Sequence, residues 1–213
     1  MQGVVLSEAR IIELLEPFGL ELDSRQLSQI QTYLDLLLRW NKRINLTAVR
    51  RPEECITRHF GESLYLGRWV ELKGRLLDIG SGAGFPGLAL KIPSPDLEVT
   101  LLEPVAKKRA FLKEVIRAIR LSNVDVRSER LDEWVNDCGQ VRMDLVTARA
   151  VANPGEIIPL AVRCLKPGGT ICLWTTRVDW QQALSAGHAI EWREPIPMPL
   201  SESREILIGR LAG

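Results

Sequence analysis

Apolar residues recur at helical spacing in the first third of the chain. After Asp23-Ser24-Arg25-Gln26, a pattern typical of a capping box, leucine and isoleucine side chains follow every three or four positions to about Arg39. Pro52 suits the first position of another helix, and the two glutamates after it favour the positive end of that helix. The segment 40–51 is polar and irregular. We therefore predict a helical region over residues 7–70.

From Arg75 onward, short apolar runs rich in β-branched residues alternate with helical stretches. The predicted strands cover residues 75–79, 97–103, about 123–127, 143–148, 169–174 and 204–211. Helices are predicted between them, for example over 106–120 and 156–165. This alternation predicts an α/β fold with a mostly parallel sheet covered by helices. We expect an N-terminal helical extension, residues 1–70, and a Rossmann-like domain, residues 71–213.

Glycine residues are concentrated directly after the first predicted strand, in the segment 76–87 (Leu-Leu-Asp-Ile-Gly-Ser-Gly-Ala-Gly-Phe-Pro-Gly). Such a loop allows positive φ angles and a close approach of the backbone to a ligand. A dinucleotide fingerprint counted from Gly80 needs a glycine where Phe85 stands, which weakens that interpretation. A phosphate loop counted from Gly82 needs lysine and serine or threonine where Leu88-Ala89 stand, which excludes it.

The remaining pattern is Asp78-x-Gly80-x-Gly82-x-Gly84, with Glu103 at the end of the next apolar run. An acidic side chain at the tip of the second strand is placed to accept hydrogen bonds from both hydroxyls of a ribose. S-adenosylmethionine has a ribose but no phosphate, so a loop without lysine suits it. Asp78 also suits the ammonium and sulfonium charges of this molecule. The pattern favours S-adenosylmethionine, and a dinucleotide site or a structural turn stay open.

Composition sets few limits on the partner. The 213 residues include 28 basic and 27 acidic side chains, so any nucleic-acid surface must be local. The four cysteines form no Cys-x-x-Cys pair and there are only two histidines, so we predict no metal site. There is no signal-like N-terminal segment and no apolar run of membrane-spanning length. We expect a soluble cytoplasmic protein that does not bind a membrane.

Further candidate site residues follow the third and fourth predicted strands, because ligands bind at the carboxyl ends of such strands. Asp132 could accept a hydrogen bond from an adenine amino group while Leu131 packs against the ring. The alternative for Asp132 is a helix cap. Arg149 interrupts an apolar stretch and needs a partner. Arg149 could have a functional role, in which it holds the cofactor or fixes the substrate. Alternatively, it forms a structural ion pair with Asp144 or Asp78.

A second group of candidates is basic and precedes the sheet. In the segment Arg39–Arg51, basic side chains could contact phosphates, Trp40 could stack on a base, and two asparagines could read base edges or hold the loop together. Alternatively, Trp40 is a core anchor and the charges are only solvated. The basic side of the helix predicted over 105–120 either faces RNA or is simply a solvent-exposed helix surface. The RNA-binding candidates are Asn41, Lys42, Arg43, Asn45, Arg58, His59, Lys107 and Lys108.

Three motifs together resemble one known family over roughly residues 25–170. They are Trp40-Asn41-Lys42-x-x-Asn45-Leu46-Thr47 with Arg58-His59, the glycine loop through Pro86-Gly87, and Ala148-Arg149-Ala150. The resemblance is to the bacterial small-subunit ribosomal RNA guanine-N7 methyltransferases, also called glucose-inhibited division protein B. It implies a class I S-adenosylmethionine-dependent methyltransferase with a Rossmann-like, mostly parallel, seven-stranded sheet and a guanine of 16S ribosomal RNA as methyl acceptor.

The resemblance also implies functional residues and partners. Cofactor positions carry over to Gly80, Phe85, Leu131, Asp132 and Arg149, and the loop pattern adds Asp78, Ser81, Gly82, Gly84 and Glu103. The chain departs from the family at Glu62-Ser63, where Asp-Ser is usual, and at Trp174–Arg177, where a Lys-Gly pair is frequent. The longer acid is expected to keep its role. The implied partner is ribosomal RNA or the small ribosomal subunit, and we expect a monomer.

Guanine N7 has an in-plane lone pair and needs no general base, so catalysis would come from alignment and electrostatic support. We assign no general base and give Arg149 a positioning role. Three other functions stay open. The chain could methylate another class of substrate, bind RNA as an inactive assembly protein on the same fold, or use a nicotinamide cofactor.

Overall fold

A computed structural model describes residues 6–137, 141–150, 154–176 and 189–213. The N-terminal part is helical: α1 is Glu8–Leu15, α2 is Ser24–Asn41, α3 is Pro52–Cys55 and α4 is Glu62–Leu64, with a π-helical turn over Ile56–Gly61 and 3₁₀ turns over Glu16–Phe18 and Tyr65–Arg68. The predicted capping box is confirmed, because Asp23 accepts from the Gln26 amide (2.7 Å) and Gln26 accepts from the Asp23 amide (2.9 Å). Pro52 opens α3 as predicted.

One sheet follows. Its strands are β1 Arg75–Ile79, β2 Glu98–Leu102, β3 Val124–Arg127, β4 Met143–Arg149, β5 Leu165–Thr176, β6 Ile190–Trp192, β7 Ile196–Pro197 and β8 Arg204–Leu211. The strand order is β3-β2-β1-β4-β5-β8-β6, which gives seven strands on the main path, and the two-residue β7 pairs with β8. The first five strands are parallel, and β8 is antiparallel to β5. The predicted class of fold is confirmed.

The helices that cover the sheet are α5 Gly87–Lys91, α6 Ala106–Ala118, α7 Leu131–Asp137 and α8 Pro154–Cys164. From β1 the chain moves outward to β2 and β3 and then returns to place β4 on the other side of β1. The strand order therefore reverses between β1 and β4. Ligands of doubly wound sheets bind outside the carboxyl ends of the strands at this point.

The N-terminal helices share a hydrophobic core with the sheet. One cluster of buried side chains runs from Leu6 through α1 and α2 to α6, β2 and β8. Tyr33 of α2 is completely buried, and its hydroxyl donates to the carbonyl of Ala83 in the glycine loop (2.5 Å). The extension over residues 1–70 stays a predicted unit of the sequence, but its described part supports the glycine loop directly.

In the described ranges, no helix is both long and apolar enough to cross a membrane. The same residues hold no group of three or more histidine, cysteine, aspartate or glutamate side chains that could bind a metal ion. Cys55, Cys164 and Cys172 are buried free thiols, and burial raises the pKa of Cys55 to about 12. A thiol of that pKa is protonated at neutral pH and is a poor nucleophile. Cys138 lies outside the described residues.

Candidate active site

The glycine loop joins β1 to α5 in a backbone conformation that favours glycine. Gly80, Gly82 and Gly84 have φ angles of 67°, 56° and 87°. The Ser81 amide donates to the carbonyl of Leu102 at the end of β2 (3.0 Å), and the Gly84 amide donates to the Ser81 carbonyl (2.6 Å). These bonds curl the loop over the carboxyl ends of β1 and β2. Gly80 is exposed and Gly82 is half-buried, so a molecule bound at that edge can reach the loop there.

Asp78 lies beneath the loop and is completely buried. One carboxylate oxygen accepts from the Thr147 hydroxyl of β4 (2.8 Å), and the other accepts from the Gly87 amide at the start of α5 (3.3 Å). Burial raises the pKa of this carboxyl to about 6, against the effect of these hydrogen bonds. Asp78 thus fixes the loop between two strands and a helix. Its direct contact with a cofactor stays a prediction.

Glu103 follows β2 and is buried beside the same loop. One carboxylate oxygen accepts from the Gly82 amide (2.8 Å), and the other accepts from the Val105 amide that precedes α6 (2.8 Å). Each carboxylate oxygen has a further lone pair, so the side chain can also accept from ligand hydroxyls. The carboxylate is held at the tip of the second strand, where the sequence predicts ribose recognition.

A cavity of about 480 Å³ opens between the loop and α7. Its lining includes Gly80, Leu102, Leu131, Asp132 and Ile157. A Cβ atom built on Gly80 would meet no atom within 4 Å, so the loop leaves space there. The cavity is large enough for a small organic ligand, and apolar side chains share its lining with three acids, Asp132 among them, and one arginine. These residues fit S-adenosylmethionine: apolar side chains for the adenine, Asp132 for its amino group, and the nearby Glu103 for the ribose.

Asp132 is the second residue of α7 and is exposed. The helix-cap alternative for this residue is wrong, because Arg130 precedes the helix and the neighbouring Glu133 accepts from the Arg130 amide (2.8 Å). The side chain of Asp132 therefore stays available at the cavity rim.

Phe85, a predicted cofactor residue, lies in the middle of a stack of three rings. Tyr33 lies on one face at 5.1 Å between centroids and His59 on the other at 4.8 Å, with interplanar angles of 11° and 19°. Nε2 of His59 is 2.8 Å from the Thr47 hydroxyl. The stack connects the Asn41–Thr47 turn to the glycine loop. His59 is thus part of the support of that loop, and its contact with RNA stays a prediction.

Burial lowers the pKa of His59 to about 3, and the nearby charges of Arg149 and Arg58 act in the same direction. Between pH 6.5 and about 3, the unfolded chain binds a proton at this ring and the folded chain does not. The free energy of unfolding should therefore fall with decreasing pH by up to about 1.4 kcal/mol per unit from this residue. Above pH 6.5 both states are neutral at His59 and the effect disappears.

Replacing His59 by glutamine should remove the contribution of this ring to the pH dependence of the free energy of unfolding. Urea unfolding of both proteins at pH 7, 6 and 5 tests the prediction through the difference between their unfolding free energies. Asp78 acts in the opposite direction, because its raised pKa lets the folded state keep a proton between about pH 4 and 6. Asp78 is present in both proteins, so its contribution cancels in the difference between their free energies of unfolding. A difference that does not change with pH would contradict the prediction.

Arg149 at the end of β4 has a different partner from those predicted. Its Nη2 donates to Glu62 (2.8 Å) and to the carbonyl of Arg58 (2.6 Å). The proposed structural pairs with Asp144 and Asp78 are wrong. Asp144 binds Lys166 (2.7 Å) and the Arg75 amide, and Asp78 is occupied as described. The family departure at Glu62 thus supplies the acid that holds Arg149, whereas Arg177 lies outside the described residues.

The RNA-binding candidates fall into two groups. Lys42, Arg43, Asn45 and Lys107 are exposed, and Lys108 and Arg58 are half-buried. Asn41 is buried and holds the turn together: it accepts from the amides of Leu46 and Thr47 and donates to the carbonyls of Thr47 and Val49. The sequence left open whether Asn41 reads base edges or holds the loop together, and these contacts support the second function. Trp40 packs against Phe111 and donates to Glu114 (2.9 Å), as a core anchor does.

Two residues of the site were not found from the sequence. Tyr33 was hidden because its spacing on α2 is that of any core position. Arg204 reaches Glu62 (2.8 Å) from the first position of β8. Since β8 runs antiparallel to β5, its first residue lies at the same edge as the ends of the parallel strands. An antiparallel assignment of the last strand would have been the signal for Arg204.

The fold and the site together define a class I S-adenosylmethionine-dependent methyltransferase. Among solved structures, an S-adenosylmethionine-dependent O-methyltransferase from Thermotoga maritima matches with a TM-score of 0.60 at 16% identity, over 85% of this chain and 71% of that chain. This similarity shows the fold.

The family model described as rRNA small subunit methyltransferase G matches residues 26–193. Proteins named ribosomal RNA small subunit methyltransferase G are 38% identical in Chloroflexus aggregans, over 95% of this chain and 89% of the relative, and 39% identical in Xylella fastidiosa, over 90% of each. The chain belongs to this family.

Proposed function

We propose that this protein transfers a methyl group from S-adenosylmethionine to N7 of a guanine in the 16S RNA of the small ribosomal subunit. The observation that carries the proposal is the cavity beside Gly80 and near Glu103, at the switch point of a sheet whose chain belongs to a ribosomal RNA methyltransferase family. The sulfonium group of the cofactor, when bound, supplies an activated methyl group.

The residues of the chain would act by holding and aligning the reactants. Glu103 accepts from the loop amide of Gly82 and has lone pairs for ribose hydroxyls. Asp78 fixes the loop from below, so the backbone around Gly80 keeps its shape when a ligand enters. Such a preorganised site lowers the cost of alignment.

No proton has to be removed from guanine N7 before it attacks a methyl group. Two titratable side chains at the glycine loop agree with this requirement. His59 is neutral at physiological pH and bonded to Thr47, and both carboxylate oxygens of Asp78 accept hydrogen bonds within the protein. We assign no general base. Arg149, held by Glu62, would act on the acceptor by position and charge.

The exposed candidates Lys42, Arg43 and Asn45 lie on the turn after α2, and Lys107 lies at the start of α6. Trp40 of α2 bonds to Glu114 of α6, so these two elements are neighbours. Basic side chains from both would contact phosphates of the RNA around the acceptor. We propose that the protein acts as a monomer in the cytoplasm, where its ribosomal substrate is found.

Incubation with labelled S-adenosylmethionine tests the proposal on three acceptors: small ribosomal subunits, free small-subunit RNA and large-subunit RNA. Each RNA should come from cells that lack this protein. We expect label in small-subunit RNA only, at a single guanine that becomes sensitive to the reduction and aniline cleavage specific for 7-methylguanine. Label in protein, in large-subunit RNA or at another atom of the base would contradict the proposal.

A further inference from the structure

The outer face of α2 and α6 carries an excess of basic side chains. The segments 23–51 and 106–120 contain twelve of the 28 basic residues but only three of the 27 acidic ones, although the net charge of the whole chain is +1. We propose that this face binds the phosphate backbone of a double-helical segment of the RNA substrate. The inference rests on the proposed function for the identity of that RNA. The exposed residues of this α2–α6 face are Arg25, Lys42, Arg43, Lys107, Lys113, Arg117 and Arg120.

The two helices lie side by side and run in opposite directions. Trp40, near the end of α2, donates to Glu114 of α6 (2.9 Å). Gln29, nearer the start of α2, donates to the carbonyl of Ile119, which caps the end of α6 (2.7 Å). The turn after α2 therefore lies toward the start of α6, which begins three residues after Glu103. Since the 13 residues of α6 span about 20 Å, the face begins near the proposed ribose site and extends away from it.

The basic side chains of this face lack partners within the protein. Among the described residues, four of them form neither an ion pair nor a side-chain hydrogen bond: Lys107, Lys113, Arg117 and Arg120. Lys113 and Arg117 are also four positions apart on one side of α6, where like charges repel each other. A bound polyanion would relieve this repulsion.

The acidic side chains nearby are engaged elsewhere. Asp23 caps α2, Asp35 pairs with an arginine of the same helix (3.1 Å), and Glu114 accepts from an indole N–H. At the neighbouring β3, Arg127 pairs with one acid of the strand and with another that follows it. The excess of positive charge on the α2–α6 face is therefore not neutralised by its surroundings.

The end of the face that is far from the glycine loop is concave. Arg25 of α2 and Arg120, which follows α6, line a groove of about 320 Å³. Ser28 and Thr32 also line this groove, and no acidic side chain of the described residues does. Arginine side chains and hydroxyl groups are common donors to phosphate oxygens. The groove thus suits the phosphate backbone of a nucleic acid.

The face has charges but no aromatic ring that a base could stack on. Among the described residues, Trp69 is the one exposed aromatic side chain, and it lies in the segment before β1. Unpaired RNA is typically bound by stacking of its bases, whereas double-helical RNA is bound through its shape, its phosphates and its 2′-hydroxyls. The other exposed positions of α6 are alanines, at 106, 110 and 118, so a helical backbone can approach closely. Both features favour a double helix.

Replacing Arg117 by glutamine tests the inference, with Arg163→Gln as the matched control. Both arginines are exposed in the last turn of a helix, but α6 and α8 pack on different hydrophobic clusters, on opposite faces of the sheet. A third variant combines Arg117→Gln with Lys113→Gln. Thermal melting confirms that each variant is folded, and calorimetry measures its affinity for S-adenosylhomocysteine.

Two RNA probes are titrated at several salt concentrations. One is a hairpin of small-subunit RNA with a stem of about 16 base pairs, the length that double-stranded RNA-binding domains span. The other is an unpaired strand with the same number of nucleotides. Because the probes differ in helical structure, their comparison tests the proposed form of the ligand.

We expect Arg117→Gln to weaken binding of the hairpin by about fivefold at 0.1 M salt and to reduce the slope of log K against log salt by about 0.7 to 0.9. Adding Lys113→Gln should reduce the slope by a similar amount again, because a second phosphate contact is lost. The unpaired strand should bind more weakly and lose less. Arg163→Gln should behave as wild type, and affinity for S-adenosylhomocysteine should stay within about twofold in all variants.

Four results would overturn the inference. They are an unchanged salt slope in the double variant, an equal loss in Arg163→Gln, an equal loss for the unpaired strand, and no binding of the hairpin by the wild-type protein at low salt. Each of these results can occur while the wild-type protein methylates small-subunit RNA. Conversely, a reduced slope for the hairpin supports the α2–α6 face even if no methyl transfer is detected. Failure of this inference and failure of the proposed function are therefore distinguishable.

Discussion

Replacing Glu103 by alanine is expected to lower the affinity for S-adenosylhomocysteine by at least about 100-fold, because two hydrogen bonds donated by the ribose hydroxyls to this charged acceptor would be worth about 3 kcal/mol or more. The same carboxylate accepts from the amides of Gly82 and Val105, so its loss also removes support from the glycine loop and from the start of α6. Methyl transfer should fall accordingly. The strands β1 and β2 keep their own backbone pairing, so the protein should still fold.

Calorimetric titration with S-adenosylhomocysteine checks this prediction, and Glu98→Ala is its control. Glu98 begins the same strand, is exposed and pairs with Arg75, so its loss should change the affinity by less than about twofold. Glu103→Gln should lie between the two, since its amide oxygen can accept from one backbone amide but not both. If Glu103→Ala bound the nucleoside as well as wild type, the assignment of this cavity to the cofactor would be wrong.

The spacing of apolar residues was sufficient to predict the long helices and strands of the fold. The capping box at Asp23 and the limits of β1 and β8 agree with the structure because each rests on a local signal, a cap or a change from polar to apolar residues. The π-helical turn Ile56–Gly61 could not be recognised, since one extra residue in a helical turn hardly alters the apolar spacing. The three-residue β6 is set by pairing with β8, which is a long-range contact.

The site shows the same division between local and long-range information. The glycine loop and Glu103 were found because a strand followed by glycines and an acid after the next strand are patterns along the chain. The partner of Arg149 was not found from the sequence, because Glu62 lies 87 positions earlier and meets it only through the packing of the π-helical turn on β4. The sequence suggested that this arginine needs a partner, but only the structure could identify which acid supplies it.

The glycines of the loop allow a prediction that separates folding from binding. Gly84→Ala should destabilise the protein by about 4 kcal/mol or more, since a strained positive φ and a steric clash in a packed core add together. The new Cβ would clash with the hydroxyl oxygen of Tyr33, which is completely buried and donates to the Ala83 carbonyl. Thermal and urea unfolding measure this loss, and Tyr33→Phe in the Gly84→Ala protein should recover part of it.

Gly80→Ala is the matched variant at the same kind of backbone position. Its φ angle is also positive, but a Cβ there would meet no atom within 4 Å, so the cost should be only about 1–2 kcal/mol of backbone strain. The added methyl group would face the cofactor cavity, so affinity for S-adenosylhomocysteine should fall although the protein remains folded. Equal losses of stability in the two variants would show that Tyr33 does not restrict the loop. Undiminished binding by Gly80→Ala would place the cofactor elsewhere.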